Sequence, residues 1–118
     1  MALLVGHVIR VWDRKTKPPK FKRHICICPQ ANMFFRINSK PLFPPHMILR
    51  AEGAPFLEHD SYIELQQLIK DMAFEVNQAE VLGRLTPTHV QALKISITQC
   101  GALTDEVKDF IMNRLDQY

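Results

Sequence analysis

Cysteine is scarce in this sequence, with 3 among 118 residues, an odd number. A disulfide-stapled secreted scaffold is therefore not expected, and a reducing cytosol is the natural compartment, so the reading is cytoplasmic. Long apolar runs are missing as well. The longest near the N-terminus is Ala2-Leu-Leu-Val5, against the roughly 20 apolar residues a membrane-spanning helix needs. No membrane span and no signal-peptide core are expected. Internal repeats, linkers and low-complexity tracts are absent too. What is present is ordinary for a globular chain: 47% hydrophobic and 23% charged residues, which excludes a disordered tail or a fibre. A single domain over residues 1–118 is expected, with a core able to stand alone.

Acids are nearly missing from the first part. From Arg10 to Arg50 there are ten basic residues against one acid, Asp13, a balance of +9, whereas residues 51–118 hold five basic residues and eleven acids, a balance of −6. The modest net charge of +3 conceals this separation. Charge of one sign gathered in one segment points to a polyanionic partner at one face, or to a solvated surface that repels aggregation.

The first half reads as β. Val5-Gly-His-Val-Ile-Arg-Val-Trp12 has the branched and aromatic content of a strand, and the charged, proline-containing residues 13–22 read as a long exposed loop. His24-Ile-Cys-Ile-Cys28 alternates strictly, so Ile25 and Ile27 point to one face while His24, Cys26 and Cys28 share the other. Residues 29–32 form a turn, and Met33-Phe-Phe-Arg-Ile37 a third strand. Prolines at 41, 44 and 45 keep the next stretch irregular, and residues 46–52 resume extended structure. Residues 58–61 are a loop before Tyr62-Ile-Glu-Leu65, a short strand or the approach to a helix. The second half turns helical. Residues 66–74 have some helical spacing. Thr86-Pro87 is an N-cap followed by proline at the first helical position, with Val90, Leu93 and Ile97 on one side and Gly101 as a stop. Thr104 caps a last helix, with Asp105 and Glu106 in its first turn and Val107, Phe110, Ile111 and Leu115 as its apolar stripe. The expected class is α+β: a small, mostly antiparallel barrel or curved sheet over about residues 5–65, then two or three helices over about 66–118.

Several segments, in order, resemble the PemK/MazF family of toxin ribonucleases. Gly6-His-Val-Ile-Arg-Val11 looks like that family's opening Gly-Asp-Ile-Val strand, and Lys22-Arg23 like its Arg-Arg-Pro entry to the second strand. Ile37-Asn38-Ser39 resembles the Thr-Ser end of its third strand. Leu57-Glu-His-Asp-Ser-Tyr-Ile63 looks like its Leu-Lys-x-Asp-Ser-x-Ile segment, and Val81-Leu-Gly-Arg-Leu85 like the opening of its C-terminal helix. The resemblance spans about residues 5–98. It implies an SH3-like barrel, a homodimer, and cofactor-free cleavage of single-stranded RNA by attack of a ribose 2′-hydroxyl on the adjacent phosphate, with an antitoxin protein covering the RNA groove. It further implies that Arg23 binds the scissile phosphate and that Ser39 assists, roles that suit a bidentate guanidinium and a hydroxyl donor. The sequence departs from the family where His7 stands for Asp, where His24 stands for Pro, and in Leu65-Gln-Gln-Leu-Ile69, which lacks the arginine of the family's acidic-Gln-x-Arg motif.

The candidate residues carry plainer readings alongside. Lys15, Lys17, Lys20 and Lys22, with Arg36 and Lys40, would track an RNA backbone; as solvated charges they would need no ligand. Arg23 is otherwise a loop charge and Ser39 a turn residue bonding its own backbone. His24 and His46 are candidate general acids or bases, because histidine titrates near neutral pH; otherwise they are strand residues. His24, Cys26 and Cys28 with His59 have the residue types for zinc but not the spacing of a structural knuckle. No metal or cofactor is expected, and the thiols read as small hydrophobes. Trp12 and one of Phe34 and Phe35 offer base-stacking surfaces, and Asp60 and Ser61 fix a turn. The alternative to an enzyme is a catalytically silent barrel that binds nucleic acid or a protein through the same basic loop. A third reading is a structural protein whose basic loop pairs with the acidic half of a neighbouring copy.

Overall fold

Alternation along three long strands decides the architecture. A computed structural model describes residues 2–118. It places β1 at His7–Asp13, β2 at Lys20–Cys28, β3 at Met33–Asn38, β4 at His46–Leu49, β5 at Ser61–Glu64 and β6 at Ile69–Lys70. There follow α1 at Ala73–Gln78, β7 at Glu80–Arg84, α2 at Pro87–Gln99 and α3 at Asp105–Leu115. The fold is α+β. Its seven strands form one antiparallel sheet in the order β4-β5-β3-β2-β1-β7, with β6 also paired to β3. The path ends on β4 and β7, so the sheet is open.

The sheet is covered on both faces. Because side chains alternate, Val8, Ile25, Phe35, Ile37 and Ile63 bury against one side, where Val90, Leu93 and Ile97 of α2 and Ile111 and Leu115 of α3 close the main core. Ile9, Val11, Cys26, Phe34 and Ile69 bury on the other, under Val76 and Ala79 at α1 and Val81 of β7. A bulge between Cys26 and Cys28 interrupts the β2–β3 register, and Ile27 joins the main core.

The helix ends follow local chemistry. Thr86 accepts from the His89 N–H at 3.2 Å, and His89 Nδ1 accepts from the Thr86 N–H at 3.1 Å, closing a capping box with Pro87 at the first position. The Thr104 hydroxyl accepts from the Val107 N–H at 3.3 Å, with Asp105 and Glu106 in the first turn. Tyr118 then returns to the sheet: its hydroxyl donates to the Leu85 carbonyl, and the Arg84 guanidinium lies 4.2 Å from its ring centre. Gly6 makes the room for this ring, with φ +89° and a position where a Cβ would sit 2.9 Å from Tyr118.

Four expectations need correction. Val81-Leu-Gly-Arg-Leu85 does not open a helix; residues 80–84 form β7, paired with β1. The helix expected over 66–74 is replaced by β6, with α1 beginning at Ala73. The sheet is therefore not confined to the first half, since β7 forms one of its two ends. Strand β2 also starts at Lys20, inside the stretch read as a loop. No helix among the described residues is long and apolar enough to cross a membrane.

Candidate functional site

The second face of the sheet is apolar at one end and polar at the other. Period-two geometry lines up Ile9, Val11 and Asp13 from β1, Lys22, His24 and Cys26 from β2, and Phe34, Arg36 and Asn38 from β3. His24 pairs across the strands with Arg36. Its ring is fully buried, with Nε2 3.0 Å from Asp13 Oδ2 and Nδ1 2.7 Å from Asp71 Oδ2. Two carboxylates accept at both ring nitrogens, so both nitrogens donate and the imidazolium is the fitting form. Burial works against that charge, but the hydrogen bonds and charges of Asp13 and Asp71 outweigh it and raise the His24 pKa.

Arg36 extends the network. Its Nε donates to Asp13 Oδ2 at 2.7 Å and its Nη2 to Asp13 Oδ1 at 3.3 Å, a fork on one carboxylate. Burial of Asp13 opposes ionisation, and the bonds from His24 and Arg36 overcome it, holding the carboxyl far below its ordinary range. Buried Glu64 lies 3.7 Å from Arg36 Nη1 and accepts from Asn38 Nδ2 and Gln66 Nε2, each at 2.9 Å. Lys22 donates to Asn38 Oδ1. Its half-burial, with the charges of Arg36 and Lys20, lowers its pKa. Buried Glu75 is held by Arg14, whose Nε donates to Oε1 at 2.6 Å. Every carboxylate buried on this face thus has a cationic or amide partner, as burial of charge requires.

Above this network opens a cleft of about 520 Å³. Lys15, Lys17, Lys20, Lys22 and Arg36 line it, against Glu64 as its one acid. Leu42 and Phe43 stand at its rim, 47% and 58% exposed. A groove with five cations and an exposed aromatic ring has the parts of a single-strand-binding surface: charges for the phosphates and a ring for a base. Lys40 is exposed and does not line the cleft.

Arg23 and Ser39 lie elsewhere. Odd-numbered residues of β2 face the opposite side from Lys22 and His24, so Arg23 and His24, adjacent in sequence, serve different faces. Arg23 and Ser39 meet at a second pocket of about 200 Å³, which His59, Ser61 and Phe21 also line. Arg23 Nε donates to the Phe56 carbonyl at 2.9 Å, and Nη2 lies 3.5 Å from Glu58. Lys20 and Lys22 border both the cleft and this pocket, so the cationic surface is continuous around the start of β2. Phe21, half exposed, stands at 5.0 Å from Trp12 edge to face and carries the Arg10 guanidinium 4.1 Å above its ring.

His46 lines neither cavity. It packs edge to face on Tyr62 at 5.1 Å, and its buried Nδ1 has no hydrogen-bond partner among the described residues. Neither Phe34 nor Phe35 is free to stack on a base, because each is fully buried, one on each face of a sheet covered on both sides. The exposed rings are Trp12, Phe74 and, beside the two cavities, Phe21 and Phe43, which sequence reasoning passed over. Both sit beside lysines or prolines, the only hint of exposure available. Asp60 fixes a turn, its carboxylate accepting from the Ala51 N–H at 2.8 Å and from Arg50 at 3.1 Å. Among the described residues no group of three His, Cys, Asp or Glu side chains is arranged to hold a metal. Burial, with the neighbouring Cys28, pushes the Cys26 thiol up to about 12, which makes it inert packing. No protein-family model matches the chain, and no curated protein matches it.

Proposed function

We propose that this protein binds single-stranded RNA along the lysine-lined cleft and cleaves it without a metal ion, as a toxin-type endoribonuclease of the PemK/MazF kind. The observation that carries the reading is the gathering of Lys15, Lys17, Lys20, Lys22 and Arg36 around one open cleft. The acids beneath it take up the charge of Arg36 and His24, so the lysines set the field a polyanion meets. The strand would run from the cleft across Lys20 and Lys22 into the Arg23–Ser39 pocket, where the scissile phosphate sits. There the 2′-oxygen attacks phosphorus and the bond to the 5′-oxygen breaks, leaving a cyclic 2′,3′-phosphate and a 5′-hydroxyl. Negative charge grows on the non-bridging oxygens as this happens. Arg23 offers a guanidinium and Ser39 a hydroxyl at the place where that charge develops. Arg36 is a binding residue in this account; His24, sealed between two carboxylates, positions β1 and β2 and does not reach the substrate.

An SH3-like barrel, a homodimer and an antitoxin protein that covers the cleft belong to the same reading, and they rest on the ordered segments that resemble the family. Binding without cleavage is the second reading. It is favoured by the ties on Arg23, which the Phe56 carbonyl and Glu58 both hold. Salt dependence tests the shared part. Neutralising Lys15, Lys17 and Lys20 together is expected to reduce the slope of log affinity against log salt by about 2, at ~0.7 per phosphate contact on a single strand. An unchanged slope would move the RNA elsewhere.

A further inference from the structure

The pocket that holds Arg23 and Ser39 contains one group suited to taking a proton from a hydroxyl. His59 is exposed on the loop before β5 and lines this pocket with Lys20, Lys22 and Ser61. Its Nδ1 lies 2.9 Å from the Asp60 backbone carbonyl oxygen. A carbonyl only accepts, so Nδ1 must carry a hydrogen. Ser61 Oγ spends its own hydrogen on the His59 carbonyl at 3.0 Å, so at 3.5 Å from Nδ1 it can only accept from that nitrogen and does not change the tautomer. In the neutral ring, the hydrogen fixed at Nδ1 leaves the lone pair on Nε2. The loop is itself anchored, because the Asp60 carboxylate holds the Ala51 N–H and Arg50 across the turn. The imidazole is thus set in one tautomer on a braced loop, beside a guanidinium whose carboxylate partner, Glu58 at 3.5 Å, is exposed to solvent.

We infer that His59 is a catalytic residue, the general base that removes the proton from the attacking 2′-hydroxyl of an RNA bound at the Arg23–Ser39 pocket. This rests on the ribonuclease reading above and adds to it the residue that activates the nucleophile. The proton of the 2′-hydroxyl passes to His59 Nε2, and the 2′-oxygen forms its bond to phosphorus. The bond from phosphorus to the 5′-oxygen breaks, and that oxygen leaves with a proton from a water molecule. Water returns the protons to their starting places. Electrons and atoms balance with no metal, oxidant or co-reactant.

The test compares wild type, His59→Ala and His59→Gln on a long single-stranded RNA in EDTA, with binding measured in parallel on an all-2′-deoxy copy of the same sequence, which cannot be cut by this route. The expected result is a cleavage rate about 10²–10⁴-fold lower in both variants, with affinity for the deoxy strand within twofold of wild type. Free imidazole should restore cut ends at the wild-type positions in His59→Ala. Cleavage by His59→Ala at the wild-type rate would overturn the assignment and leave the ribonuclease reading standing. A loss that imidazole does not repair, together with weakened binding, would make His59 a loop anchor and also overturn it. Wild type that never cuts would remove both the assignment and the ribonuclease reading.

Discussion

Replacing His24 with leucine removes one cation from between two buried carboxylates, and the structure says what that should cost. His24 is fully buried, Asp13 is 3% exposed and Asp71 9%. Asp13 keeps its fork from Arg36. The Asp71 carboxylate loses its hydrogen-bond partner, because among the described residues His24 is the one that holds it. Breaking a buried pair from one side leaves an uncompensated charge and costs about 3–5 kcal/mol, a large share of the about 5–15 kcal/mol that holds a domain together. With a urea slope of about 1–3 kcal/mol per molar, the unfolding midpoint of His24→Leu should fall by at least about 1 M. Changing Asp71 to leucine as well removes the stranded charge, so the double variant should recover most of the loss.

The same pair predicts a pH dependence with a definite sign. The folded-state pKa of His24 is raised above its ordinary 6.5. Its contribution is therefore complete below about 6.5 and is lost as pH rises through the folded value. Asp13, held below its ordinary 3.8, acts in the opposite sense: its contribution is complete above about 3.8 and is lost as pH falls. Urea melts across pH 5 to 10 should show wild-type stability declining on the alkaline side and His24→Leu lacking that decline. A loss under about 1 kcal/mol, or a double variant worse than the single one, would refute the argument that His24 stabilises by neutralising Asp71.

Two further perturbations probe other parts of the account. Gly6→Ala places a Cβ 2.9 Å from the Tyr118 ring at φ +89°, and the left-handed backbone alone costs about 1–2 kcal/mol; thermal unfolding should show a clear drop, and Gly6→Ala combined with Tyr118→Ala should recover only the steric part. Phe43→Ala should weaken single-stranded RNA binding by about 1–3 kcal/mol if the ring stacks on a base, with the thermal midpoint unchanged because the ring is more than half exposed; unchanged affinity would place the bases away from that rim.

Much of this fold is legible in local pattern. The two capped helices can be read because Thr86, Pro87 and Thr104 act on their own neighbours. The three long strands can be read because β-branched alternation needs no partner to be seen. Strand β7 cannot. Five residues of Val81-Leu-Gly-Arg-Leu85 type fit a helix turn or a short strand equally, and only pairing with β1 decides. Coverage of the sheet on both faces is likewise a tertiary fact, and it removes Phe34 and Phe35 from the surface together. The lysines of the basic segment are visible as charge. The buried carboxylates beneath them are not, since His24 finds Asp71 across 47 residues and Asn38 finds Glu64 across 26. The sequence does hold one clue: Asp13, the sole acid among ten bases from Arg10 to Arg50, is the carboxylate that both His24 and Arg36 hold. The separation of Arg23 from His24 onto opposite faces follows from strand alternation alone.

The central claim is that RNA is cut at the Arg23–Ser39 pocket without a metal, and one measurement addresses it directly. Purified protein and its Arg23→Ala variant are incubated with a long single-stranded RNA in EDTA, and the fragment ends are mapped. The account predicts discrete cuts ending in cyclic phosphate, lost in Arg23→Ala while the variant's thermal midpoint stays close to wild type. RNA that is retarded on a gel yet remains intact with the wild-type protein would contradict it and leave a module that binds RNA without cutting it.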